Sequence, residues 1–156
     1  MSLDDVPRER AAYPRLTDFR TRWADNDQFG HLNNALYYGL VDSAVNLGLT
    51  DLTGFDPLRD DEIFYVVESG CRFHAALAYP GVVEVGVRIA RLGGSSVTYD
   101  VAVFGAGEQE AAVTGRFVHV QVDRASERPV PIAQDRRAAL VRGYGLDEET
   151  AGTETR

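Results

Sequence analysis

Lysine is absent from this chain of 156 residues: all sixteen basic residues are arginine. That excludes Schiff-base chemistry and a lysine general base. Cysteine is almost as scarce. Cys71 stands alone, so an internal disulfide and a multi-cysteine zinc site are both excluded. The three histidines, His31, His74 and His119, are scattered without metal-ligand spacing, and no metal or other cofactor is expected. No apolar stretch approaches a membrane span and no N-terminal apolar segment suggests a signal peptide, so the cytoplasm is the simplest expectation. Positive charge is also in deficit. A net charge of −8 argues against nonspecific nucleic-acid binding, yet leaves room for an anionic small ligand held by a local arginine cluster.

What remains is ordinary globular material, 44% hydrophobic and 26% charged, in a length that suits one domain. Residues 1–14 are charged and proline-bearing and read as an N-terminal arm. Residues 16–23 alternate, with Phe19, Thr21 and Trp23 on one face and Arg20 and Arg22 on the other, as in a half-buried strand. Next comes the stretch that organises the chain, residues 22–48. Asp25, Asp27, His31, Asn33 and Asn34 crowd into a polar loop. Leu36, Leu40, Val41, Ala44 and Leu47 then recur at helical spacing, with Tyr37 beside them. Asn33 is placed to cap the helix, and Gly48 sits where a helix often stops.

After a surface connection rich in Asp, Gly and Pro, residues 63–77, 82–92, 96–104 and 111–122 all read as strands. In the first, Tyr65, Val67, Cys71, Phe73 and Ala75 share a face, with Glu68 on the other. Tyr79-Pro80-Gly81, Gly93-Gly94 and Gly105-Ala106-Gly107 supply turns between antiparallel neighbours. Residues 134–143 suit a short terminal helix, and residues 146–156 a disordered tail. One strand, one long helix and four strands make an α+β fold, an antiparallel sheet of about five strands wrapped around one central helix across residues 15–145.

The series Asp25-Asn26-Asp27, Gly30-His31-Leu32-Asn33-Asn34 and Tyr37 resembles the D-x-D-x-x-G-H-x-N-N-x-x-Y pattern of hotdog-fold thioesterases of the 4-hydroxybenzoyl-CoA thioesterase type. Leu92-Gly93-Gly94-Ser95-Ser96 resembles their L-G-x-S-S turn. The resemblance implies acyl-CoA hydrolysis with Asp27 as the catalytic carboxylate, either general base or nucleophile. It also implies an oxyanion site at the helix start near Asn34, where N–H groups stabilise developing negative charge. Other members carry a histidine at the position of Asn34; here His31 is the active-site candidate. Asp25 reads as a structural loop carboxylate and Tyr37 as a wall of the substrate pocket. Arg91, with Ser95 and Ser96 beside it, is first choice for substrate binding at the CoA phosphates, ahead of Arg72, Arg88 and Arg116. Cys71 reads as a small buried hydrophobe, and His74 and His119 as members of cross-strand pairs. The family further implies dimers or tetramers with sites between subunits. The alternatives are an acyl-carrier-protein thioesterase, a hotdog enoyl-CoA hydratase or dehydratase (whose N-P-x-H step is missing here), and a non-catalytic acyl-CoA binding domain.

Overall fold

Alternating valines decide the architecture. Val83, Val85, Val87 and Ile89 line one face of β3 (Val82–Leu92), and Val97, Tyr99, Val101 and Val103 the same face of β4 (Ser96–Gly105). These side chains need one apolar cover, and the 20-residue helix α1 (Asn34–Thr53) supplies it through Tyr37, Val41, Ala44, Val45 and Leu49. A computed structural model describes residues 2–147 and 149–152. Strands β1 (Arg15–Arg20), β2 (Glu62–Phe73) and β5 (Val113–Asp123) complete a wholly antiparallel sheet in the order β1-β3-β4-β5-β2. A second helix, α2 (Gln134–Tyr144), buries Leu140 and Tyr144 in the same core. Among the described residues no helix is long and apolar enough to cross a membrane.

Three expectations need correcting. The helix does not stop at Gly48 but runs to Thr53, ending at Gly54 in the left-handed conformation. Gly48 is there for close approach: a Cβ would lie 2.6 Å from the Tyr144 hydroxyl, so α2 rests on α1 at this notch. Leu47, counted in the apolar stripe, is exposed because the buried stripe runs through Val45, Gly48 and Leu49. In β2, a bulge between Val66 and Glu68 breaks the alternation. Val66 pairs with His119 and Phe73 with Val113, whereas Tyr65 pairs with Val120. Cross-strand partners share a face. The inward set is therefore Phe64, Val66, Cys71 and Phe73, with Tyr65 turned to the other side.

The outer face of the sheet carries charge under a cover. Arg88, Asp100 and Arg116 stand directly opposite one another across β3, β4 and β5. Asp100, 1% exposed, accepts from Arg116 Nε at 3.0 Å and Nη2 at 2.7 Å and from Arg88 Nε at 3.2 Å. The segment before β1 lies over this ladder. Its Ser2 carbonyl accepts from Arg116 Nη1, Arg10 pairs with Glu84, Arg72 with Asp4, and the Tyr13 ring meets Phe104 edge-on. Arg88 and Arg116 thus neutralise a buried carboxylate rather than hold phosphate. A buried pair is costly to break from one side, about 3–5 kcal/mol. Of the C-terminal segment, residues 149–152 lie beside the β3–β4 turn, where Thr150 accepts from the Leu92 N–H and Arg137 donates to the carbonyls of residues 151 and 152. Glu148 and residues 153–156 of the expected disordered tail lie outside the described residues.

His119, 1% exposed, is packed between the rings of Phe64, Phe117 and Tyr99, at centroid distances of 5.5, 5.0 and 5.7 Å. Its Nδ1 and the hydroxyls of Tyr99 and Tyr144 are buried without a hydrogen-bond partner among the described residues. Burial penalises the imidazolium and pushes the His119 pKa down to about 4. In the unfolded chain a histidine titrates near 6.5. Between those values the unfolded state binds more protons, so stability rises with pH across the window and is lost as pH falls. The loss should reach on the order of 3 kcal/mol below pH 4. Melting temperatures measured from pH 7.5 to 4.5 should fall less steeply in His119→Phe than in the wild type. Equal slopes would assign the acid sensitivity to other groups.

Candidate active site

The loop between β1 and α1 is built by its own polar side chains. Asp25 is buried, accepting at Oδ2 from the Arg22 backbone N–H (2.7 Å) and at Oδ1 from Arg22 Nε and Nη2 (3.1 and 2.8 Å). The Arg22 guanidinium holds the Asp25 carboxyl below the usual carboxylate range. Its carbonyl then accepts the Asn33 N–H at 2.9 Å, tying the start of the loop to its end. Asn26 clamps a distant segment, its Oδ1 accepting from the Tyr79 N–H at 2.9 Å. Leu32, 4% exposed, pins the loop to the core and donates its N–H to Leu77.

Within this frame Asp27 sits at the head of a tight turn. Its N–H donates to the His31 carbonyl (2.8 Å), its carbonyl accepts from Gly30 (3.1 Å), and its Oδ1 accepts from the Phe29 N–H (2.8 Å). Gly30 has φ +80°, a conformation that disfavours a Cβ. Among the described residues Oδ2 of Asp27 takes no hydrogen bond. The helix start behaves similarly. Asn33 Oδ1 accepts the Ala35 N–H and the Asn33 carbonyl the Leu36 N–H, both at 2.9 Å. Among the described residues the Asn34 N–H is left without a partner in the first turn of α1, at the electropositive end of the helix.

Asp27 and Asn34 both line one cleft of about 580 Å³. The sequence candidates Asp27, His31, Asn34 and Tyr37 all line it. His31 is exposed, and Tyr37 is buried with its ring edge-on to Phe73 at 5.5 Å. Arg91, Ser95 and Ser96 are not brought to this cleft. Register places Phe73 beside Val113 and Val113 beside Val103, and Ser96 lies seven residues back along β4, about 23 Å away. The Leu92–Ser96 turn is engaged elsewhere, with Arg137 donating to the carbonyls of Leu92 and Gly93, and Gln121 to that of Ser95.

The cleft also contains residues that the sequence does not mark as site candidates: Phe29, Phe73, His74, Ala75 and Ala76. His74 follows the last residue of β2. Its N–H and that of Ala75 both donate to the Ala112 carbonyl, and its Nε2 is 2.8 Å from Thr114 Oγ1. Burial and the nearby Arg8 and Arg72 lower its pKa. Among the described residues no three His, Cys, Asp or Glu side chains gather into a metal site.

The thioesterase superfamily model matches residues 29–112, more than half of the chain. The chain belongs to the thioesterase superfamily. Its hotdog fold matches the PA5185 protein of Pseudomonas aeruginosa strain PAO1, 47% identical, with a TM-score of 0.83 over 87% of this chain and 96% of that one. A Thermus thermophilus thioesterase complexed with coenzyme A and Zn is 26% identical, TM-score 0.74, over 87% and 98% of the two chains. The BH1999 gentisyl-coenzyme A thioesterase is also 26% identical, TM-score 0.71, over 81% and 99%. Among curated proteins none matches the chain. This thioesterase-superfamily member is a thioester hydrolase.

Proposed function

We propose that the chain hydrolyses an acyl-CoA thioester to the free acid and CoA, with Asp27 as the reacting carboxylate and the Asn34 N–H as oxyanion donor. One observation carries the reading: Asp27, with one carboxylate oxygen unengaged among the described residues, and Asn34, the first residue of the helix, line the same cleft. As general base, Asp27 takes a proton from water, whose oxygen adds to the carbonyl carbon. The C–S bond then breaks, the thiolate leaves, and the proton balances it as thiol. As nucleophile, Asp27 forms an acyl anhydride that water cleaves to the same products. In both routes the carbonyl oxygen gains charge, which a preorganised N–H stabilises. Relatives described as a gentisyl-CoA thioesterase and as a thioesterase holding coenzyme A support CoA as the thiol.

A second copy completes the site in this reading. β2 is a sheet edge that exposes Val66, Val67 and Phe73, and free strand edges tend to be paired or covered. Phe73 both ends that strand and lines the cleft, so pairing along β2 brings partner residues to the substrate. Thiol release from a panel of acyl-CoAs tests the proposal. Turnover of at least one ester is expected, with the protein migrating as a dimer or tetramer; release from none would overturn it.

A further inference from the structure

His74 follows β2 where that edge strand ends, and it lines the same cleft as Asp27 and Asn34. Two observations say what its ring is prepared to do. Nε2 lies 2.8 Å from Oγ1 of Thr114, while Nδ1 takes no hydrogen bond among the described residues. Thr114 is 1% exposed, and the His74 ring is its hydroxyl's one partner among the described residues. A buried hydroxyl that shared its proton with nothing would bear the cost of a lost hydrogen bond. Thr114 therefore donates, Nε2 accepts, and the ring proton resides on Nδ1. An imidazole free in water prefers the opposite tautomer, so Thr114 sets a form that solvent alone would not. Burial and the positive charges of Arg8 and Arg72 lower the His74 pKa, favouring the neutral ring against the pull of Glu110.

Resting on the hydrolase reading above, we propose that His74 binds the thiol arm of acyl-CoA through its Nδ1–H. The acceptor is the carbonyl of the amide nearest the sulfur. Thr114 is a positioning residue that fixes the donating tautomer. In that reading the thioester reacts at the loop and helix start, and the end of β2 supplies another wall of the cleft through Phe73, His74, Ala75 and Ala76. The backbone N–H groups of His74 and Ala75 are both spent on the Ala112 carbonyl. Phe73, Ala75 and Ala76 have apolar side chains, so the imidazole is the polar side-chain group of this wall. The tautomer also decides what it recognises. With Nε2 engaged, Nδ1–H can donate and cannot accept, which selects a carbonyl oxygen over an amide N–H. His74 is exposed, so core packing does not account for the fixed ring.

One acyl group carried on three thiols tests this: CoA, N-acetylcysteamine, which keeps the amide nearest the sulfur, and ethanethiol, which has none. In His74→Ala, kcat/KM should fall about fivefold for the first two esters and stay within about twofold for the ethyl ester, as one neutral hydrogen bond allows. The loss should appear in KM, with kcat unchanged. Thr114→Val should reproduce the pattern, and Thr114→Ser, which keeps the hydroxyl, should not. A uniform loss over the three esters, or none in any, would overturn the assignment while leaving hydrolysis in place. Nitrogen NMR of the wild-type imidazoles decides it without turnover or substitution. His74 should show a protonated Nδ1 and a bare Nε2, and CoA should shift the Nδ1 signal in a saturable way. A proton on Nε2, or an Nδ1 signal that CoA does not move, overturns the proposal. If the wild type hydrolyses no ester the hydrolase reading fails, and these spectra still decide the His74 contact.

Discussion

Asp27→Asn should lower kcat for thioester hydrolysis by about 10²–10⁴, the range that general acid–base groups supply, with little change in KM or melting temperature. The substitution is close to isosteric, and an asparagine Oδ1 still accepts the Phe29 N–H that shapes the turn. Gly30 and His31 engage the Asp27 backbone, which the exchange leaves alone. What is lost is the charge and basicity of Oδ2, the oxygen the loop leaves free. Thiol release and thermal melting, read together, separate the outcomes. Full activity in Asp27→Asn would remove Asp27 from the chemistry. Lost activity with a fallen melting temperature would make it a loop residue like Asp25, whose two oxygens are committed to Arg22.

That contrast between two aspartates explains how much the sequence disclosed. A loop before a helix is local: every hydrogen bond shaping the Asp27 turn is made within five residues, so the polar crowd and the apolar stripe behind it are legible together. β3 is legible for a similar reason, since period-two valines over eleven residues admit one reading. Misreadings arise where one position serves a distant element. Gly48 resembles a helix stop until Tyr144 is placed over it. Arg88 and Arg116 resemble free cations until the register sets Asp100 between them. The β2 bulge moves Tyr65 off the face assigned by alternation, and nothing in a run of valines marks the extra residue. The far wall of the cleft was least accessible. His74 enters the cleft because its strand ends one residue earlier, which has no local signature.

The proposed oxyanion donor is a backbone atom, which proline alone among the residues lacks. Asn34→Pro should fold normally yet lose about 10²–10³ in kcat, while Asn34→Ala should retain most activity. Proline suits the first helical position, where its fixed φ is already helical and its missing N–H costs the helix no internal bond. The preceding residue must be extended, and Asn33 already is, at φ −58°, ψ 133°. Capping survives, because Asn33 bonds Ala35 and Leu36 rather than residue 34. Proline therefore deletes a single donor from the helix tip and leaves its neighbours in place. Removal of one oxyanion donor costs about 2.7–4 kcal/mol of transition-state stabilisation, which sets the expected loss. Alanine removes the Asn34 side chain but keeps the N–H, so the pair isolates the backbone atom. Circular dichroism and melting temperature verify the fold, and thiol release gives the rates. A proline variant as active as the alanine variant would move the oxyanion site to another donor. An alanine variant as slow as the proline one would transfer the role to the Asn34 side chain.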